Sequence, residues 1–265
     1  ILAGGKGTRM GNTEMPKQFL QLGTKPIFIH TLEQFLLNNE IDKIILCCPK
    51  AWMTYAEDII KKYALNPDKI AVVEGGSNRN ETIMNGCKYI EENFGINEDD
   101  IIITHDAVRP FVTQRIISDN IESAKKYGAV DTVIPATDTI VISKDGKEIS
   151  EIPVRKEMYQ GQTPQSFNMK QLMETYQSLT EDEKEVLTDA CKMFIIKGKP
   201  VKIVEGEVYN LKITTLHDLK MANAILKERE LQPQVELLPA EQGIMRALSL
   251  FATLIPRAWR SSKKP

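Results

Sequence analysis

The sequence is poor in cysteine and histidine, with four of the first and three of the second among 265 residues. Cys47 and Cys48 are adjacent inside an apolar run, Cys87 and Cys191 stand apart, and no C-x-x-C occurs. That spacing argues against a zinc site, and a chain this long does not need a disulfide framework. The four are read as reduced thiols, which points to the cytoplasm. Neither sign of charge dominates: 34 Lys plus Arg against 36 Asp plus Glu leaves a formal charge of −2. That balance gives no sign of a whole-protein nucleic-acid binder, and any basic patch must be local. No apolar run reaches the roughly 18 residues that a spanning helix needs. The Walker A pattern G-x-x-x-x-G-K-[ST] is absent. A dinucleotide-binding reading also fails, because Lys17 and Gly23 occupy the region where its acidic residue belongs.

What is present is an alternation of β-branched runs with segments of helical period. Strands are expected at 1–3, 43–48, 69–74, 100–104, 129–136 and 201–205. Helices are expected near 27–37, 52–63, 79–93, 114–127, 169–177, 181–194 and 216–229. The alternation predicts an α/β fold with a doubly wound, mostly parallel sheet, helices covering both faces. Ligands of such sheets bind beyond the carboxyl ends of the strands. Ile1-Leu2-Ala3 reads as a strand already under way, with native residues expected ahead of it. Residues 138–154 break the rhythm and read as an inserted β-hairpin arm turning at Asp145-Gly146. Such an arm packs either on a domain of its own or on a neighbouring subunit. Residues 231–265 read as a separate C-terminal tail: an interfacial membrane helix, a docking helix or an extraneous segment.

Three strand ends carry chemistry. Gly4, Gly5 and Gly7 let backbone approach a ligand closely and turn N–H groups toward phosphate oxygens. Lys6, Arg9 and Lys17 add charge there, unless they are solvated bases beside a plain turn. At the second strand end, Gly75 and Gly76 precede a helix whose amino end favours anions. Asn78, Asn80 and Thr82 there have the polar groups to bond a base or ribose. The third end is His105-Asp106-Ala107-Val108-Arg109-Pro110. Its Asp106 is either a Mg2+ ligand or a buried partner of Arg109. His30, His217 and Trp52 lie in helical contexts and are read as structural.

Six segments in order then become recognisable: L-A-G-G-x-G-T-R-M at 2–10, P-K-Q-F at 16–19, G-G-x-x-R-x-x-T at 75–82, D-A-V-R-P at 106–110, T-P-Q at 163–165 and N-x-K-I-T-T-x-x-D-L at 210–219. Together they resemble the signature of the cytidylyltransferases, over about residues 1–230. The resemblance implies a Rossmann-like nucleotidyltransferase fold, CTP as co-substrate, Mg2+, and a homodimer formed through the hairpin arm. It implies a catalytic role for Arg9, Lys17 and Lys212. Leu2, Ala3, Gly4 and Gly5 would approach the nucleotide by backbone. Gly76, Ser77, Asn78, Arg79, Asn80, Glu81 and Thr82 would hold its base and ribose. Arg155, Thr163 and Arg109 would bind the acceptor, with Asp138, Asp106 and Asp131 as candidates for its hydroxyls. Asp106 would be the metal ligand.

Two relatives share this pattern, the methylerythritol-phosphate enzymes of isoprenoid synthesis and the ribitol-5-phosphate enzymes that make CDP-ribitol for teichoic acids. Tyr159–Phe167 and Leu187–Lys192 resemble the ribitol enzymes. The isoprenoid enzymes usually carry Thr-Asp-Asp/Glu-Ala-Ser where this chain has Thr188-Asp189-Ala190-Cys191. The resemblance therefore implies transfer of a cytidylyl group from CTP to D-ribitol 5-phosphate, releasing pyrophosphate, for teichoic acid or a related polymer. The alternative acceptor is 2-C-methyl-D-erythritol 4-phosphate.

Overall fold

The computed structural model describes residues 1–5 and 15–231. The chain divides into two units, Ile1–Asn223 and Ala224–Pro265. Apolar β-branched runs make the parallel strands. Ile44–Cys48 (β3), buried at every position, pairs in parallel with Ile70–Glu74 (β4). Ahead of them Gln21–Leu22 (β1) and Lys25–Pro26 (β2) form a short antiparallel ribbon. A second group contains Ile101–Thr104 (β5), Ala129–Pro135 (β6), Tyr159–Asn168 (β7) and Lys202–Glu205 (β8), in the order β5-β7-β6-β8.

The opening residues join the two groups. Leu2 bridges in parallel to both Cys47 and Asp106. Its N–H donates to the His105 carbonyl at 2.7 Å, and the Ala3 N–H donates to the Cys47 carbonyl at 2.8 Å. The expected strand at 1–3 thus runs between β3 and β5, and the whole forms a mostly parallel sheet as predicted. The exception is β7, antiparallel to both β5 and β6. The sequence pattern predicts no strand there, because Gly161, Pro164 and three glutamines make a composition that strands avoid. Its polar groups are buried because each finds a partner. Thr104 Oγ1 donates to the Gln165 carbonyl, Thr132 Oγ1 to the Pro164 carbonyl, and Ser166 Oγ to Asn120 Oδ1.

The helices are Ile27–Leu36 (α1), Met53–Lys62 (α2), Arg79–Phe94 (α3), Gln114–Tyr127 (α4), Met169–Gln177 (α5), Glu181–Glu185 (α6), Ala190–Ile196 (α7) and Leu216–Leu231 (α8). None among the described residues is long and apolar enough to cross a membrane. Side-chain caps set several starts: Asn78 for α3, Thr113 for α4, Asn168 for α5. The single helix expected over 181–194 is two, because Asp189 accepts from the Lys192 N–H and starts α7 afresh. One core, with Phe28, Leu32, Leu46 and Ile117, gathers α1 and α4 against β3. The other packs Cys87, Phe167, Leu172 and Phe194. All four cysteines are free and buried, and burial pushes the Cys87 thiol up to about 12, so they act as apolar filling. His30 donates to the Leu22 carbonyl and Trp52 stacks on Phe19, both structural as read.

The arm differs from the expected hairpin. Within 138–154 only Ile142 and Glu151 pair. The turn itself forms, with Asp145 Oδ1 accepting from the Lys147 and Glu148 N–H groups and Gly146 at φ 72°. Val141, Ile149, Ile152 and Val154 stay exposed, so the chain offers these apolar residues no packing partner to flatten them into a ladder.

Candidate active site

The parallel strands end on one edge, and three loops meet there. In the first, Ala3 is buried and its carbonyl accepts from the Gln18 amide, tying the glycine loop to the turn Lys17–Phe19. A Cβ on Gly5 would lie 3.7 Å from Lys17 Cε, and one on Gly4 would lie 3.8 Å from Thr82 Oγ1. The Lys17 side chain therefore passes close to Gly5, and the first loop abuts the second. Arg9 lies outside the described residues.

The second loop is closed by its own side chains. Thr82 Oγ1 accepts from the Gly76 N–H at 3.0 Å and donates to the Asn78 carbonyl at 2.7 Å. Glu81 accepts from the N–H and the hydroxyl of Ser77 at 2.9 and 2.6 Å, and these bonds lower its pKa. Asn78 Oδ1 caps the Glu81 N–H. A Cβ on Gly76 would lie 2.4 Å from Glu81 Cβ, so only glycine fits. The resemblance has Ser77, Asn78, Glu81 and Thr82 reaching for base and ribose. Here their side chains bond one another and shape the backbone instead. Asn80 is different: it is buried, and its Oδ1 has no hydrogen-bond partner.

The third loop holds the charge. Asp106 accepts from Arg79 Nη1 at 2.7 Å, from Lys212 Nζ at 3.0 Å and, more loosely, from Arg109 Nε at 3.4 Å. Burial raises its pKa, but Arg79, Lys212 and Arg109 more than reverse this and hold the carboxyl well below the usual carboxylate range. Asp106 is thus paired with Arg109, as one of its two readings has it, and with Arg79 and Lys212 besides. Arg109 is expected to bind the acceptor, yet its Nη1 donates to the Asn210 carbonyl at 2.8 Å. With the Ile213 N–H on the Val108 carbonyl, this docks the loop carrying Lys212 onto the loop carrying Asp106. Thr163, also expected at the acceptor, is buried. Its Oγ1 accepts from the Asp106 N–H at 3.1 Å and donates to His105 Nδ1 at 3.0 Å. His105 Nε2–H then donates to the Arg109 carbonyl at 3.1 Å. Burial lowers His105 to about 3, so the ring is neutral, as this bonding requires. Arg109 and Thr163 thus hold the site together from inside.

Arg155 lies on the exposed turn Arg155–Glu157 at the base of the arm, donating to the Thr137 carbonyl at 3.3 Å. Asp138 is also exposed. Asn210, missed in the sequence, donates to Gln162 Oε1 and the Thr163 carbonyl, though it opens the motif that contains Lys212. Gln165, third residue of T-P-Q, is likewise missed: it accepts from Arg79 Nη2 at 3.3 Å and donates to Asp131 at 3.0 Å.

Asp106, the carboxylate expected to take Mg2+, is engaged by Arg79, Lys212 and Arg109 in this arrangement. A cavity of about 490 Å3 lies chiefly at the opposite ends of β3 and β5, lined by Lys43, Ile44, Asp100 and Ile101, and is not the site. What the strand-end edge offers is preorganised positive charge beside a glycine loop, an arrangement able to hold a polyphosphate.

A sequence model of the 2-C-methyl-D-erythritol 4-phosphate cytidylyltransferases (IspD) matches residues 1–228. The chain belongs to this family. It is a CTP-using nucleotidyltransferase with the family's mixed α/β fold. It is similar to 4-diphosphocytidyl-2C-methyl-D-erythritol synthase from Anaerococcus prevotii at 29% identity, over 85% of this chain and 93% of that one, with a TM-score of 0.70. The cytidylyltransferase of Francisella tularensis gives 28%, 82%, 95% and 0.68 for the same measures. That of Thermus thermophilus gives 25%, 83%, 96% and 0.64. All three loops lie within the stretch that the family matches.

Proposed function

We propose that the chain transfers the cytidylyl group of CTP to a small polyol phosphate and releases pyrophosphate. The observation that carries this reading is the convergence of Arg79, Arg109 and Lys212 on Asp106 beside the glycine loop. A phosphate oxygen of the acceptor attacks the α-phosphorus in line, and the bond to the pyrophosphate oxygen breaks. A phosphate monoester is already anionic near neutral pH, so catalysis rests on positioning and on stabilising charge at the α-phosphoryl oxygens and the leaving group. Lys17 and Lys212 supply that charge, together with Arg9. The backbone of Leu2–Gly5 carries the triphosphate, and the loop 76–82 carries the nucleoside. One carboxylate among three cations fixes their positions while leaving positive charge in excess.

Two acceptors fit. 2-C-Methyl-D-erythritol 4-phosphate is the better supported, because the family model and the similar structures carry its name. Ribitol 5-phosphate is supported by Tyr159–Phe167, which is β7 with its buried Gln165, and by Thr188-Asp189-Ala190-Cys191 at the start of α7. Arg155 serves the acceptor phosphate from the base of the arm. The exposed apolar residues of the arm support packing on a second copy of the chain. Buried, reduced thiols support a cytoplasmic location. The test is pyrophosphate release from CTP, UTP, ATP and GTP with each of the two polyol phosphates. CTP is expected to be used with at least one of them, and release that is indifferent to the nucleotide or independent of a polyol phosphate contradicts the reading.

A further inference from the structure

Strand β6 carries one ionisable side chain, Asp131, midway along its length and only partly buried. Its Oδ1 accepts from Gln165 Nε2 at 3.0 Å. Gln165 Oε1 accepts from Arg79 Nη2, and Arg79 Nη1 bonds Asp106. An unbroken polar line therefore runs from Asp131 to the cation cluster that faces the phosphates. On the other side, Asp131 Oδ2 looks toward Gly161, where even an added Cβ would stay 3.9 Å away. The carboxylate is thus tied to Gln165, with the Thr132 backbone and the Cys191 thiol also against it and Asp189 nearby.

Folding alone gives no reason for a carboxylate at this position. Burial, and to a lesser degree the charge of Asp189, raise Asp131 to about 6 against the partial relief given by Gln165 and Arg79. An asparagine would accept from Gln165 equally well at no such cost. A carboxylate has room for up to about four donors, and Arg79 reaches this one through Gln165 rather than directly. Neutral hydroxyls are the donors that suit its remaining lone pairs.

We propose that Asp131 accepts hydrogen bonds from hydroxyls of the acceptor polyol and is a specificity-determining residue for it, with Gln165 and Arg79 setting its distance from the phosphates. This rests on the reading of the acceptor as a polyol phosphate. It differs from that reading in naming the side chain that selects the polyol end.

The test is Asp131→Asn in the full chain, assayed by pyrophosphate release with whichever polyol phosphate the parent protein uses best. A hydrogen bond to a charged group corresponds to roughly a ten- to hundredfold change. KM for the acceptor is expected to rise by about that factor, while KM for CTP stays within about twofold. Ionised Asp131 disfavours the fold above pH 6, because its folded value lies above that of an ordinary aspartate. The variant is therefore expected to melt higher than the parent at pH 8, with the difference closing as the pH falls toward 4. If Asp131→Asn does not fold, Asp131→Thr, which suits a strand, is read in the same way. An unchanged acceptor KM, or equal increases for acceptor and CTP, overturns the assignment and leaves the enzyme reading standing. A parent protein that uses CTP with no polyol phosphate overturns both.

Discussion

Asp106→Asn is expected to lower folding stability by about 3 kcal/mol, the low end of the range for removing one partner of a buried ion pair. The substitution keeps the shape and removes the charge that three cations share. Lys212 is well exposed and can turn to water, and Arg79 partly so. Arg109 is buried, and its charge is left uncompensated. Urea unfolding at pH 7 measures the difference. The sign with pH follows from the depressed carboxyl of Asp106. Its stabilisation is complete above the ordinary aspartate range and is lost as the pH falls through that range toward the folded value. Parent and variant should therefore differ by a constant amount from pH 5 to 8 and converge only in stronger acid. A difference below about 1 kcal/mol at pH 7, the scale of an exposed pair, contradicts a buried cluster.

Lys212→Ala is expected to lower kcat by about a hundred- to a thousandfold, the scale of about 2.7–4 kcal/mol seen when one preorganised donor to a developing charge is lost. Its folding should be nearly unchanged, since Asp106 keeps Arg79 and Arg109 and the lysine side chain is 41% exposed. Lys212→Arg should recover part of the loss, because the charge returns with a different geometry. Steady-state turnover measured alongside the melting temperature separates the two contributions. Near-parental kcat removes Lys212 from the chemistry, and a large fall in melting temperature recasts it as structural.

The parallel part of the sheet was legible because β3 and β5 are runs of β-branched or apolar residues between turn signals. β7 was not, because Gln160, Gln162, Gln165 and Pro164 hide a strand whose stability comes from side chains bonding to neighbouring strands. The start of α7 was legible in principle, as Thr188-Asp189 is a capping sequence, but the helical period of 181–194 ran across it. At the site, the motifs marked the three loops that the fold brings together, while the direction of their side chains was hidden. Residue type gives the capacity of Arg109, Thr163 and Asn78 to bond a ligand. Only the fold shows that Asn210, His105 and Glu81 already use it. Arg79 was similarly read as a nucleotide contact, and its partner Asp106 lies 27 residues away in sequence.

The account turns on fixed cations acting on the phosphoryl group rather than on general nucleotide affinity. Lys17, whose side chain passes close to Gly5, tests this most directly. The measurement is single-turnover pyrophosphate release by Lys17→Ala at saturating CTP and acceptor, with the dissociation constant for CTP determined on the same sample. The expected result is a rate about a hundredfold lower or more, with CTP affinity changed only a few-fold. A parental single-turnover rate with weakened CTP binding contradicts the account.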